Sequence, residues 1–162
     1  MIKSFAPAAL LLATIILLAG WLTGRTAGEF SVVEFYTAEA SSFRAKVDAQ
    51  TASHGTGQSL EGIPVVHPPA GDVYMAVKRW EFSPALELEP GARYRLHLLT
   101  EDVVHSAAID ETEILLEPGI AKVVSVTAPL SGRVRIQCGE YCGLGHTKMI
   151  GSIEVLGAKP KP

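Results

Sequence analysis

The run Cys138-Gly-Glu-Tyr-Cys142-Gly-Leu-Gly-His146-Thr-Lys-Met149 places two thiols, an imidazole and a thioether within twelve residues, at intervals of four, four and three. Gly139, Gly143 and Gly145 let such a segment turn tightly enough for these side chains to converge on one point, which implies a loop and not a helix. A second imidazole has to come from elsewhere, and His105, in EDVVHS just after a strand-like run ending at Thr100, is the candidate. Thiolate and thioether sulfur together with imidazole nitrogen select copper or zinc over magnesium or calcium.

Four kinds of chemistry fit these residue types. Two cysteines in an oxidising compartment suit a single disulfide, which leaves His146 and Met149 without a role. Structural zinc uses cysteine and histidine but has little use for methionine, and its cysteines usually stand closer together. A mononuclear blue-copper site takes two histidines, one cysteine and a weak axial methionine, so here there is one cysteine too many. Two thiolates four residues apart can instead bridge two copper ions, each ion also taking one imidazole and one weak axial ligand. The residues by themselves leave all four open.

The elements that must position this loop are strands. After Gly71 the chain shows short runs of period two: VYMAVKRWEF (Val73 to Phe82), YRLHLLT (Tyr94 to Thr100), AKVVSVTA (Ala121 to Ala128), GRVRIQC (Gly132 to Cys138) and IGSIEVLG near the end. Turn signals at Glu89-Pro90-Gly91, Glu117-Pro118-Gly119 and Pro129-Leu130-Ser131-Gly132 separate them, at spacings that suit a small antiparallel sandwich with Greek-key connections. Alternation puts Val134, Ile136 and Cys138 on the core face and Arg133, Arg135 and Gln137 on the other. Residues 28–70 mix Gly, Ser, Thr, Ala, His and Pro without sustained periodicity and read as a connecting arm. His54 and His67 in that arm, and His97 on the Arg95 face of its strand, read as solvated; Met75 reads as core. Asp102, Asp110, Glu111 and Glu113 flank His105 and form a candidate acidic docking patch.

The 162 residues allow one globular domain and an appendage. That appendage is Phe5 to Leu22, FAPAALLLATIILLAGWL, which carries no charge and approaches the roughly 20 residues needed to span a bilayer. It is longer than the apolar stretch of an ordinary signal peptide and no clean cleavage site follows, so 1–27 reads as a retained transmembrane anchor. Setting aside Lys3 and Arg25, the rest has twelve basic against seventeen acidic groups, five charges negative, which argues against a nucleic-acid partner.

CGEYCGLGHTKM, with DVVHS upstream, closely resembles the dinuclear copper (CuA) motif of cytochrome c oxidase subunit II. That pattern, Cys-x-Glu-x-Cys-x-x-x-His-x-x-Met plus one upstream His, is met here at all six positions. The resemblance runs over about 73–156, including RWEFSP and the EPG turns. It implies an all-β, cupredoxin-like Greek-key β-sandwich over 71–162, lying outside the cytoplasm behind one N-terminal transmembrane helix. It implies two copper ions, with Cys138 and Cys142 as bridging thiolates, His105 and His146 each on one copper, Met149 as a weak axial ligand and Glu140 acting through its backbone carbonyl. It implies electrons arriving from a c-type cytochrome, with Trp80, or failing that Phe82, as the aromatic where they come in. They leave toward haem in a catalytic subunit I, with His146 on that side, and oxygen is reduced to water there. Most subunit II proteins have two transmembrane helices; the single helix here resembles the B-type haem-copper oxidases. The alternative is an orphan membrane-tethered copper electron carrier, or a copper-delivery protein, without a catalytic subunit.

Overall fold

The computed structural model describes residues 6–23 and 29–156. A helix, α1 (Ala6–Thr23), precedes β1 (Glu29–Thr37), α2 (Ala40–His54), β2 (Gly55–Leu60), β3 (Ile63–Val66), β4 (Gly71–Lys78), β5 (Glu81–Ser83) and β6 (Ala85–Leu88). There follow β7 (Arg93–Thr100), β8 (His105–Ile109), β9 (Thr112–Leu116), β10 (Ile120–Thr127), β11 (Arg133–Gln137) and β12 (Ile150–Val155). Leu10, Leu11, Leu12, Ile15, Ile16, Leu17 and Leu18 of α1 are all exposed. Among the described residues no helix is long and apolar enough to cross a membrane. The flanks of the expected anchor, 1–5 and 24–27, and the tail 158–162 lie outside the described residues.

The strands form two sheets, ordered β1-β10-β7-β4-β5 and β2-β3-β6-β12-β11-β8-β9. The sandwich expected from the period-two runs is present, but it is mixed. β4 runs parallel to β7, and β6 parallel to both β12 and β3. The reason is connectivity, since parallel neighbours need a crossover and the chain goes to the other sheet through β6 between β4 and β7. The run from Val73 to Phe82 is two strands and not one. It folds at Arg79-Trp80, pairing Lys78 with Glu81 and Val77 with Phe82, without the glycine or asparagine that marks most tight turns. Between the sheets lies a core that includes Val73, Met75, Val77, Leu96, Leu98, Val124, Ile109, Leu116, Ile136 and Ile153.

Of residues 28–70, expected as a connecting arm, the described 29–70 are part of this body. β1 closes the edge of the first sheet against β10, with a bulge between Val32 and Glu34 that breaks the alternation a strand is recognised by. α2 lies on the outer face of the same sheet, where Phe43 and Val47 pack with Ala76, Leu99 and Ala121. Its buried stripe is hard to see because the third member is polar. Gln50 accepts from the backbone N–H of Tyr74 at 2.8 Å and donates to its carbonyl at 2.9 Å, completing hydrogen bonds that β4 would otherwise leave open there.

His97 is a correction of another kind, since it is 6% exposed and not solvated. Its Nε2 donates to Asp72 Oδ1 at 2.9 Å, its Nδ1 accepts from the Tyr36 hydroxyl at 2.9 Å, and the Tyr74 ring lies against it. Tyr36 comes from β1, so this chain of bonds ties the edge strand to β7 and β4. His67 is half-exposed and contacts the Glu87 carbonyl and the Glu89 carboxylate, while Met75 is fully buried as expected.

The His97 hydrogen bond, aided by the charge of Arg95, holds the Asp72 carboxyl below the ordinary carboxylate range. A depressed carboxyl contributes stability that is present above its unfolded pKa and lost as pH falls through the folded one. Acid unfolding below about pH 4 should therefore be less steep in Asp72→Asn than in the native chain. Urea midpoints measured across that range check this; identical pH profiles would remove Asp72 from the account.

Candidate metal centre

β11 and β12 are paired from Arg133 with Glu154 to Gln137 with Ile150, so residues 138–149 form the loop of one hairpin. Its neck is closed by the Cys138 N–H donating to the Met149 carbonyl at 3.2 Å. Cys138 and Met149 therefore start side by side, and the intervening residues have to fold back between them. They do so through a 3₁₀ turn over His146–Lys148, with N–H bonds from His146 to Gly143 and from Met149 to His146.

The result is a cluster of soft donors beneath the surface. The two Sγ atoms stand 3.8 Å apart as free thiols. Cys138 Sγ lies 3.7 Å from His105 Nδ1 and 3.1 Å from the Glu140 carbonyl. Cys142 Sγ lies 3.7 Å from His146 Nδ1 and 3.7 Å from Met149 Sδ. All six residues singled out in the sequence thus come together, and ligand atoms of His105, Cys138 and Cys142 fall within 4.8 Å of one another. His105, Cys138 and Met149 are at most 1% exposed. Burial, and then the neighbouring Cys138 thiol, push the Cys142 thiol up to about 11, so without a cation beside it this sulfur stays protonated at neutral pH. The donor set suits copper: its side chains are soft sulfur or imidazole donors, and each thiol has an imidazole and a weak donor of its own.

A second layer of residues aims these donors, and the ligand spacing alone gives no sign of it. Asp102 accepts from His105 Nε2 at 2.9 Å, which turns Nδ1 toward the thiols. Burial works against ionising Asp102, but the backbone N–H groups of Arg79 and Val103 and the His105 ring outweigh it and hold the carboxyl below its usual range. The Gly139 N–H donates to Ser106 Oγ, which donates to Glu113 Oε1, each at 2.8 Å. A Cβ at Gly139 would fall 2.1 Å from that carboxylate oxygen. Arg44 of α2 makes a bidentate pair with Glu101 at 2.5 and 2.6 Å, fastening the segment that leads into His105. Of the expected acidic docking patch, Asp102 and Glu113 are therefore tied by hydrogen bonds to His105 and Ser106, and all four members, Asp110 and Glu111 included, are exposed. The DVVHS motif was the available signal, since its Asp and Ser bracket the histidine.

Trp80 sits in the β4–β5 turn, and its indole N–H donates to the Cys142 carbonyl at 3.3 Å. Its ring lies so close to Gly145 that a Cβ there would come within 2.3 Å. Phe82, the alternative aromatic, is 1% exposed and packs in the core, whereas Trp80 is 42% exposed. With Val104, Tyr141 and Leu144, Trp80 lines a shallow hollow of about 530 Å³ beside the centre. Tyr141 and Leu144 are 73% and 95% exposed, an apolar rim around the loop.

No family model matches the chain. It is 35% identical over 86 residues to cytochrome c oxidase subunit 2 of Thermus thermophilus, a match that covers 51% of this chain and 64% of that protein. Against a second cytochrome c oxidase subunit 2, from a named strain of the same organism, the identity is again 35% over 86 residues, covering 51% of each chain. The chain thus spans between about half and two thirds of the curated relatives it matches. Among solved structures it is similar to a chain of a haem-copper terminal oxidase dimer, with 19% identity, a TM-score of 0.51, and 92% of this chain and 93% of that one covered. It is similar also to reduced rusticyanin, at 16% identity and a TM-score of 0.52, over 75% of this chain and 99% of that one. The fold is therefore cupredoxin-like, and the sequence likeness is to the subunit II type of domain.

Removing the partner that orients a ligating imidazole typically costs about 10- to 100-fold in metal affinity. Asp102→Asn should therefore lower copper affinity by about that factor while leaving the fold intact. Competition with a chelator of known affinity, alongside circular dichroism, reads both; unchanged affinity would leave Asp102 as a loop-capping residue only.

Proposed function

We propose that this chain, whose sandwich is of the subunit II type, is the electron-accepting subunit of a haem-copper terminal oxidase. In this reading it takes electrons from a c-type cytochrome and hands them to a catalytic subunit that reduces oxygen to water. Two copper ions held by His105, Cys138, the Glu140 carbonyl, Cys142, His146 and Met149 would supply one-electron transfer. The observation that carries the reading is the doubled donor set: two thiols 3.8 Å apart, each with its own imidazole nitrogen at 3.7 Å.

The chain's own residues support it in three ways. The donors are held from behind by Asp102, Ser106 and the hairpin neck, so they keep their places when charge changes, which is what a carrier of single electrons needs. Burial of both thiols and of His105 argues against an exchange site that passes copper on to a partner. Trp80, bonded to the Cys142 carbonyl and open to solvent, is the aromatic surface at which electrons arrive, and the apolar rim of Val104, Tyr141 and Leu144 is the surface on which a cytochrome rests. His146 faces the catalytic subunit. α1, apolar on every described side, tethers the sandwich to the membrane with the centre on the extracytoplasmic face.

Metal analysis with electron paramagnetic resonance of the copper-loaded full chain tests the core of this reading. The expected result is two coppers per chain sharing one unpaired electron, and loss of that shared signal in Cys142→Ser. One copper with a localised signal, or none, would overturn it. A second expectation concerns the rim. Trp80→Leu should slow reduction by a c-type cytochrome by about tenfold or more, a barrier increase of about 1.4 kcal/mol, at unchanged copper content. Stopped-flow traces with native and variant chains decide it; equal rates would move the point of arrival elsewhere.

A further inference from the structure

Away from the metal centre, a cleft of about 180 Å³ opens beside β12. Its apolar walls are Leu60 and Ile63 from the β2–β3 hairpin, Phe82, Ala85, and Ile150 at the start of β12. Its polar side is formed by Arg133, Arg135 and Ser152, with Glu61 also on the lining.

The strand register makes the polar side informative. Arg133 stands opposite Glu154 and the two form an ion pair. On the next rung of the same face Arg135 stands opposite Ser152, a distance at which cross-strand side chains meet. Ser152 is 5% exposed, and its hydroxyl is buried without a hydrogen-bond partner among the described residues. Among those residues no carboxylate pairs with Arg135 either. Where one rung carries a complete charge pair, its neighbour carries a guanidinium and, buried behind it, an orphaned hydroxyl, both on the lining of a cleft with apolar walls. A buried hydroxyl left unpaired costs free energy that a bound acceptor recovers.

We propose that this cleft binds an apolar group carrying a carboxylate. The carboxylate accepts from the Ser152 hydroxyl and the Arg135 guanidinium, and the apolar part covers Leu60, Ile63, Phe82 and Ile150. A cavity of roughly 150 Å³ takes a benzene ring, so a group the size of a leucine side chain or a single ring fills this one. That chemistry is shared by a small free acid and by the terminal residue of another polypeptide. Glu61 opposes any acid here and sets an upper limit on affinity. Ile150 directly follows Met149, and Phe82 lies two residues beyond Trp80, so an occupant touches residues joined in the chain to both the centre and its rim.

Calorimetric titration of the full chain in a lipid nanodisc with N-acetyl-leucine, isocaproate and N-acetyl-leucinamide tests this. Both acids should bind with a dissociation constant of about 1 mM or tighter, and the amide at least about tenfold more weakly. Arg135→Gln and Ser152→Ala should each weaken the acids by about 3- to 30-fold, and Glu61→Gln should tighten them. N-acetyl-leucine ahead of isocaproate by about tenfold assigns the site to a chain terminus, and equal affinities assign it to a free acid. Binding of the amide as strong as that of the acids, or no acid binding at about 10 mM, overturns the proposal. So does a folded Arg135→Gln chain that binds the acids unchanged; its side chain is exposed, so that variant keeps the test decisive if Ser152→Ala fails to fold.

Discussion

The pairing of β11 with β12 is the constraint on which the centre depends. It brings Cys138 and Met149 to a common neck and leaves the residues between them no route except a folded-back loop. Once the neck is closed, the donors at 138, 142, 146 and 149 are driven toward one point, and the glycines between them permit the turns and the close approach of Trp80. The hairpin is itself anchored deep in the sandwich, because Gly151 lets Phe82 pack directly against the strand that follows the loop; a Cβ there would meet the Phe82 Cβ at 2.7 Å. The core thus sets the height at which the sulfur cluster sits.

The donor from outside the hairpin, His105, is placed by a different set of forces. It begins β8, which pairs with β11 in the same sheet, and is turned by Asp102 from the loop that crosses over from β7. That loop is held by Thr100 donating to the Val103 carbonyl at 2.7 Å and by the Arg44–Glu101 pair reaching down from α2. An exposed ion pair adds little, but a bidentate, half-buried one between two ordered elements fixes geometry. Covering the outer face of the first sheet with α2 therefore does more than bury Ala76 and Leu99. It connects a helix on one side of the domain to a candidate ligand on its rim.

Much of the polar chemistry of this chain faces inward, and this is why its surface was hard to read. Carboxylates that look like a docking patch along the sequence are used to orient His105 and Gly139, and a histidine that looks solvated is the middle of a Tyr36–His97–Asp72 chain. Around the centre the exposed surface carries an apolar patch of Trp80, Val104, Tyr141 and Leu144, bordered by the charged side chains of Arg79, Glu140 and Lys148. The patch itself favours contact by exclusion of water, and the charges at its border are placed to orient a partner.

The sequence by itself determined the donor set, because the types and intervals of Cys138, Glu140, Cys142, His146 and Met149 are a local property of one loop. It also determined the strands whose two faces differ, such as β11, where Ile136 and Cys138 are buried and Arg133, Arg135 and Gln137 exposed. It was silent where the pattern depends on what lies on top. β4 and β7 are buried on both faces only because α2 covers one of them, and α2 shows no clean stripe because Gln50 is spent on the Tyr74 backbone. β1 hides its nature behind a bulge and an exposed edge. The parallel pairings, the seat of Trp80 against the Cys142 carbonyl with Phe82 in the core, and the partners that aim His105 are contacts between residues distant in the chain. Their energy exists only when the two sheets have closed on each other, so only the tertiary structure could decide them.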